Sequence, residues 1–181
     1  MVDTNPSVVV DEPKPTDTST DSLARYYVEL GDLYFQTRRY LRATETYARA
    51  AQLVPDDAAL RFVIADAWFA VGQYDKAAYA IRQGLHLDPE LAASETDKRG
   101  FYGFAEDFDK HMKALAKHLD ERPLDAQALL VEAYNLRFSG GYIEARKKLE
   151  KLSEILPGDP AIKQLREGLD KAAAARTPRK V

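Results

Sequence analysis

The chain has 181 residues, 45% hydrophobic and 30% charged, which fits one ordinary globular domain or an array of small units sharing a core. A net charge of −3 supplies no basic field for nucleic acid, and no run approaches the roughly 18 continuous apolar residues of a membrane span. The absence of cysteine removes disulfides, thiolate metal sites and cysteine nucleophiles together. It leaves the compartment open, with a soluble cytoplasmic protein the favoured expectation.

Residues 1–20, MVDTNPSVVVDEPKPTDTST, are rich in Pro, Ser and Thr, and read as a disordered linker. A chain running from Met straight into such a linker reads as a piece of a longer protein. From residue 21 to residue 175 a period takes over. Pro55, Pro89, Pro123 and Pro157 recur every 34 residues, as do Tyr34, Trp68, Tyr102 and Leu136, and Tyr40, Tyr74, Phe108 and Tyr142. The units span 24–57, 58–91, 92–125 and 126–159. In the first, Tyr27, Leu30 and Leu33/Tyr34 fall at helical spacing, as do Ala43, Tyr47, Ala50 and Leu53. Gly31, Ala43 and Ala50 let two helices approach closely. Asp57, Asp125 and Asp159, each two residues after a proline, are expected to cap the helices that follow. Ile162, Leu165, Leu169 and Ala172 mark one more amphipathic helix over 160–175, and 176–181 is a basic tail.

The third unit keeps Tyr102, Phe108, Leu115 and Pro123 in register but loses the small residues. Arg99 stands where other units have Gly31, Ala65 and Ala133, and His111 where they have Ala43, Ala77 and Ala145. Large groups at a tight helix contact cost about 1–3 kcal/mol if nothing moves. This pair is therefore expected to be splayed, or its first helix to be irregular, which Gly100 and Gly103 would permit.

These columns resemble the tetratricopeptide repeat, a helix–turn–helix of 34 residues. The first unit matches through Tyr27, Leu30, Gly31, Tyr34, Ala43, Tyr47, Ala50 and Pro55, and the resemblance covers residues 24–159. It implies an all-α fold: a right-handed superhelical solenoid of about four units, the third degenerate, closed by a C-terminal capping helix. It also implies a concave groove, lined by the first helices, that takes a peptide or a partner's helix. Carried over by repeat position, the groove residues are Glu29, Asp32, Phe35, Phe62, Asp66, Phe69, Phe104, Leu130, Tyr134 and Phe138. Aromatics on a face not needed for a unit's own packing favour binding.

Rival chemistry is weaker. His111 could be a base beside Asp107 or Asp109, with Glu106 a second acid, but no nucleophile accompanies them, and the acidic run falls where other units have a solvated turn. His111 and His118 lie about two helical turns apart, too far to share one zinc ion. Gly100 to Gly103 lacks the strand and lysine of a phosphate loop. The chain is read as non-enzymatic, with no cofactor and no metal. Members of the family that hold acidic chaperone C-termini use a Lys, Asn and Arg clamp. Here those positions carry Val28, Asp32, Val63, Ala93 and Asp97, which repel a carboxylate. The expected partner is a protein or peptide, apolar with basic flanks, drawn by Glu29, Asp32, Asp66 and Asp97. Nucleic acid is not expected, because the inner face is acidic and aromatic. The alternative is a structural role in which the same surface joins copies of the chain into a homo-oligomer.

Overall fold

In the computed structural model, residue 17 and residues 19–176 are described. Most of the expected linker and the tail beyond residue 176 lie outside them. Eight α-helices follow one another, with no strand among the described residues: α1 Thr20–Gln36, α2 Tyr40–Leu53, α3 Ala58–Ala70, α4 Tyr74–Leu87, α5 Ala105–Glu121, α6 Ala126–Arg137, α7 Tyr142–Ile155 and α8 Pro160–Arg176. Two short 3-10 turns, Pro89–Ala93 and Lys98–Phe101, lie between α4 and α5. The pairs α1/α2, α3/α4 and α6/α7 are antiparallel hairpins, and no helix is long and apolar enough to cross a membrane.

Local chemistry explains where the helices start. Asp57 accepts from the Leu60 amide at 2.9 Å, Asp125 from Gln127 and Ala128 at 3.1 Å each, and Asp159 from Ala161 at 2.9 Å. Each thus satisfies amides that the first helical turn leaves without a partner. The small positions do what their size allows. Ala43, Ala50, Ala77 and Ala145 are fully buried where two helices meet. Gly31 lies flat against the ring of the buried Tyr47, and a Cβ on Gly84 would come within 2.6 Å of the Phe62 ring.

The third unit departs from the pattern at its first helix. Thirteen residues that would parallel α3 form instead the second 3-10 turn and extended backbone on either side of it. Two aspartates help break the helix: Asp88 accepts from the Glu90 amide and Asp97 from the Arg99 amide, each at 3.0 Å, so each starts a fresh turn. With that helix gone, α6 packs directly on α4. Arg82 of α4 bridges the junction, donating to Gln127 at 2.6 Å and, through two nitrogens, to Asp159 at 3.1 and 3.0 Å. As a result α6 is buried on nearly every side, in keeping with its run Leu129, Leu130, Val131. The C-terminal helix α8 covers more than α7. It also packs on the first 3-10 turn, where Gly168 sits against the backbone of Ala92.

The Gly31–Tyr47 contact makes a direct packing test. Gly31→Val should lower the unfolding free energy by roughly 1–3 kcal/mol in urea titration, because the new atoms fall inside the Tyr47 ring. Gly100→Ala, which meets open space, should leave it nearly unchanged.

Candidate partner-binding face

The face formed by the first helices of the units, α1, α3 and α6, is the one expected to be an open groove. Residues 94–104 of the same chain lie across much of it. The Lys98 amide donates to the Phe138 carbonyl at 2.9 Å, and the Arg137 guanidinium donates to the Ser94 carbonyl at 3.1 Å. The Lys98 ammonium pairs with Asp66, both groups buried, and lies 3.8 Å from the Tyr134 ring centroid and 5.8 Å from that of Phe138. Tyr102 stands edge-on to Phe35 at 4.9 Å between centroids. Gly103 presses on the carbonyl of Gln36 at the end of α1, a closeness only glycine permits. Burial pushes the Lys98 ammonium down from its ordinary value and the Asp66 carboxyl up, each held back by the other's charge.

Six of the ten groove residues expected from the sequence, Phe35, Asp66, Phe69, Leu130, Tyr134 and Phe138, are therefore buried within the chain's own packing. The repeat arithmetic placed them on one face correctly, but assumed that the third unit would contribute a helix beside them rather than a strap over them. Phe62 is half-buried, its ring 5.4 Å from that of Tyr134 and set against Gly84. Glu29 and Asp32 remain exposed on α1, and Phe104 is 43% exposed beneath the Arg38 guanidinium.

A cavity of about 240 Å³ is left beside the strap, lined by Val28, Asp32, Phe35, Val63 and the backbone turn Gly100 to Tyr102. Phe101, 47% exposed, stands at its mouth. Asp32 Oδ1 accepts from the Tyr47 hydroxyl at 2.7 Å. Burial and the neighbouring Glu29 charge raise the Asp32 carboxyl above its ordinary value despite that hydrogen bond.

The strap leads into α5 through a second lock that was not foreseen. Arg38, in the turn between α1 and α2, holds φ 65 where the equivalent residues of other units are Gly72 and Gly140. A side chain there is strained by about 1–2 kcal/mol. Its guanidinium donates to Asp107 at 2.6 and 3.0 Å and to Glu106 at 2.7 Å, while the Tyr40 hydroxyl donates to Asp107 at 2.9 Å. The acidic run expected in a solvated turn instead opens α5, with Asp107 buried. Burial alone would raise Asp107, but the hydrogen bonds from Arg38, Tyr40 and Lys110 outweigh it and hold the carboxyl at about 2. Asp109 pairs with Arg99 at 2.7 Å. His111 packs among the rings of Tyr40, Phe69 and Tyr102, and burial pushes it below its ordinary value. The side chains of the one stretch that suggested acid–base chemistry are thus engaged in holding the strap and α5 in place.

Three second helices, α2, α4 and α7, begin at residues 40, 74 and 142, each 14 residues long, in steps of 34 and twice 34. The chain is a tetratricopeptide-like helical repeat. No protein-family model matches it, and no curated protein sequence matches it. Among solved structures it is similar to the second TPR domain of human RPAP3 in complex with the HSP70 peptide SGPTIEEVD, at 18% identity and a TM-score of 0.42, over 83% of this chain and 98% of that one. It is similar also to the first TPR of Spaghetti (RPAP3) bound to the HSP90 peptide SRMEEVD, at 17% identity and a TM-score of 0.40, over 84% and 94%.

The Arg38–Asp107 lock makes stability depend on acid. The Asp107 carboxyl lies at about 2 in the folded chain against 3.8 ordinarily, so its contribution is present above 3.8 and lost as pH falls through about 2. In urea unfolding, Asp107→Asn should cost on the order of 1–2 kcal/mol near neutral pH, and the gap to wild type should close as the pH approaches 2. A gap that does not narrow would mean that Asp107 acts by shape rather than by charge.

Proposed function

We propose that this chain is a non-catalytic protein-interaction module, and that it takes a short peptide or the end of a partner's helix on the part of the concave face left open between α1, α3 and the Gly100–Tyr102 turn. The observation carrying the reading is that this face already accommodates one irregular segment. Residues 94–104 lie on it through a backbone hydrogen bond, a buried cation and aromatic contacts, which are the means by which such faces hold a peptide. Beside them remains a cavity with apolar walls and the exposed Phe101 at its mouth.

The expected ligand is apolar with a basic flank. Glu29, Asp32 and Asp97 are exposed around the open part of the face, whereas the charge of Asp66 is already matched by Lys98. Acidic peptides such as SGPTIEEVD and SRMEEVD are unsuited to it, because Asp32 and Glu29 would stand against their carboxylates.

Selection of phage-displayed random peptides on the full chain tests the reading. Bound peptides should lose at least roughly tenfold in affinity with Val28→Asp or Phe101→Asp, the loss of a desolvated apolar contact. They should be unaffected by Tyr79→Asp, on the opposite side between α2 and α4. Retention of the same peptides by all three variants would remove the concave face from the account.

A further inference from the structure

Asp32 and Asp66 stand 34 residues apart, at one position of successive units. At Asp66 the carboxylate is completed by a lysine that an irregular segment delivers, its ammonium over Tyr134 and close to Phe138. At Asp32 only half of that arrangement exists. Tyr47 hydrogen-bonds one oxygen, no salt bridge reaches the other among the described residues, and the one charge acting on the group, Glu29, has the same sign. In front of it lies the cavity of about 240 Å³, walled by Val28, Phe35, Val63 and Phe101.

An apolar passage ending at a single carboxylate is the complement of a lysine or arginine side chain, whose stem prefers apolar surface and whose head needs a counter-charge. The size agrees. Pockets for drug-sized ligands run from about 300 to 1,000 Å³, so this smaller one suits a single side chain. A neutral or acidic side chain in the same place would leave Asp32 uncompensated beside Glu29.

We propose that the Asp32 cavity is a recognition subsite for one cationic side chain, lysine or arginine, of a partner peptide, and that it repeats at the first unit the contact Lys98 makes internally at the second. The inference rests on the peptide-binding reading above. It adds to that reading a fixed point of recognition. Lys98 and the partner's cation would then occupy adjacent positions of one column, the first built into the chain and the second supplied from outside.

The probe is an array of capped nine-residue peptides, apolar except at the centre, which carries lysine, arginine, norleucine or glutamate. The full chain should bind the lysine and arginine series at least roughly tenfold more tightly than the norleucine series, as one charge-assisted hydrogen bond would give. Asp32→Asn keeps the shape and the acceptor for Tyr47, and should abolish that preference while leaving norleucine binding unchanged. Asp32→Lys should turn the preference toward glutamate. Circular dichroism of both variants establishes that they fold. If Asp32→Lys does not fold, Glu29→Gln, on the outer surface of α1, serves as the second variant and should weaken the preference partially.

Peptide binding with no cationic preference, or with one that Asp32→Asn leaves intact, overturns the subsite and spares the general reading. No binding by any series, and none by the displayed peptides above, overturns both. Light scattering that finds wild type dimeric and Asp32→Lys monomeric would make a second copy of this chain the occupant, and overturns the partner peptide.

Discussion

The buried pair between Lys98 and Asp66 is the contact on which the arrangement of this molecule turns. Neither charge could lie under protein alone without a large desolvation cost, and together they cost less than either unpaired. Their effect is on register. A shift of the strap by one residue would bring Asp97 towards Asp66, setting two carboxylates face to face. With Lys98 in place, its amide reaches Phe138, Tyr102 meets Phe35, and Gly103 fits against the end of α1. From there the chain enters α5 with Asp107 already within reach of Arg38.

Consequences for the face follow from that register. In a regular stack the third unit would add another helix wall and leave a continuous groove. Here the strap covers the aromatic part of the face, α6 closes onto α4, and only the region before Asp32 stays open. A residue that would be recognition surface in a regular array, such as Tyr134, becomes the floor beneath an internal lysine. The remaining cavity is small, acidic at its base and apolar at its walls.

Much of this was legible in the sequence, and the exceptions have physical causes. The 34-residue columns located α2, α4 and α7, because small residues at a close helix contact leave a mark at each repeat. Proline followed by aspartate located the starts of α3, α6 and α8. Arg99 and His111 in place of small residues marked the third pair as irregular. The course of the strap was hidden, since a period says which residues are equivalent and not whether a unit stays in line. Two signals pointed to it all the same. Lys98 occupies the column of Leu30 and Ile64, and a charge at a core position needs a partner. Arg38 occupies the turn column of Gly72 and Gly140, and strain tolerated there indicates a compensating contact. The partners themselves, Asp66 and Asp107, lie 32 and 69 residues away, beyond what local pattern conveys.

The central claim, that residues 94–104 are packed into the concave face rather than held loosely above it, is tested most directly by amide hydrogen exchange at Lys98. Its N–H is bonded to the Phe138 carbonyl within that face, so it should exchange orders of magnitude more slowly than a free amide, approaching the protection of the surrounding helices. Exchange of the Lys98 amide at the rate of an exposed loop, with α3 and α6 still protected, would contradict the account.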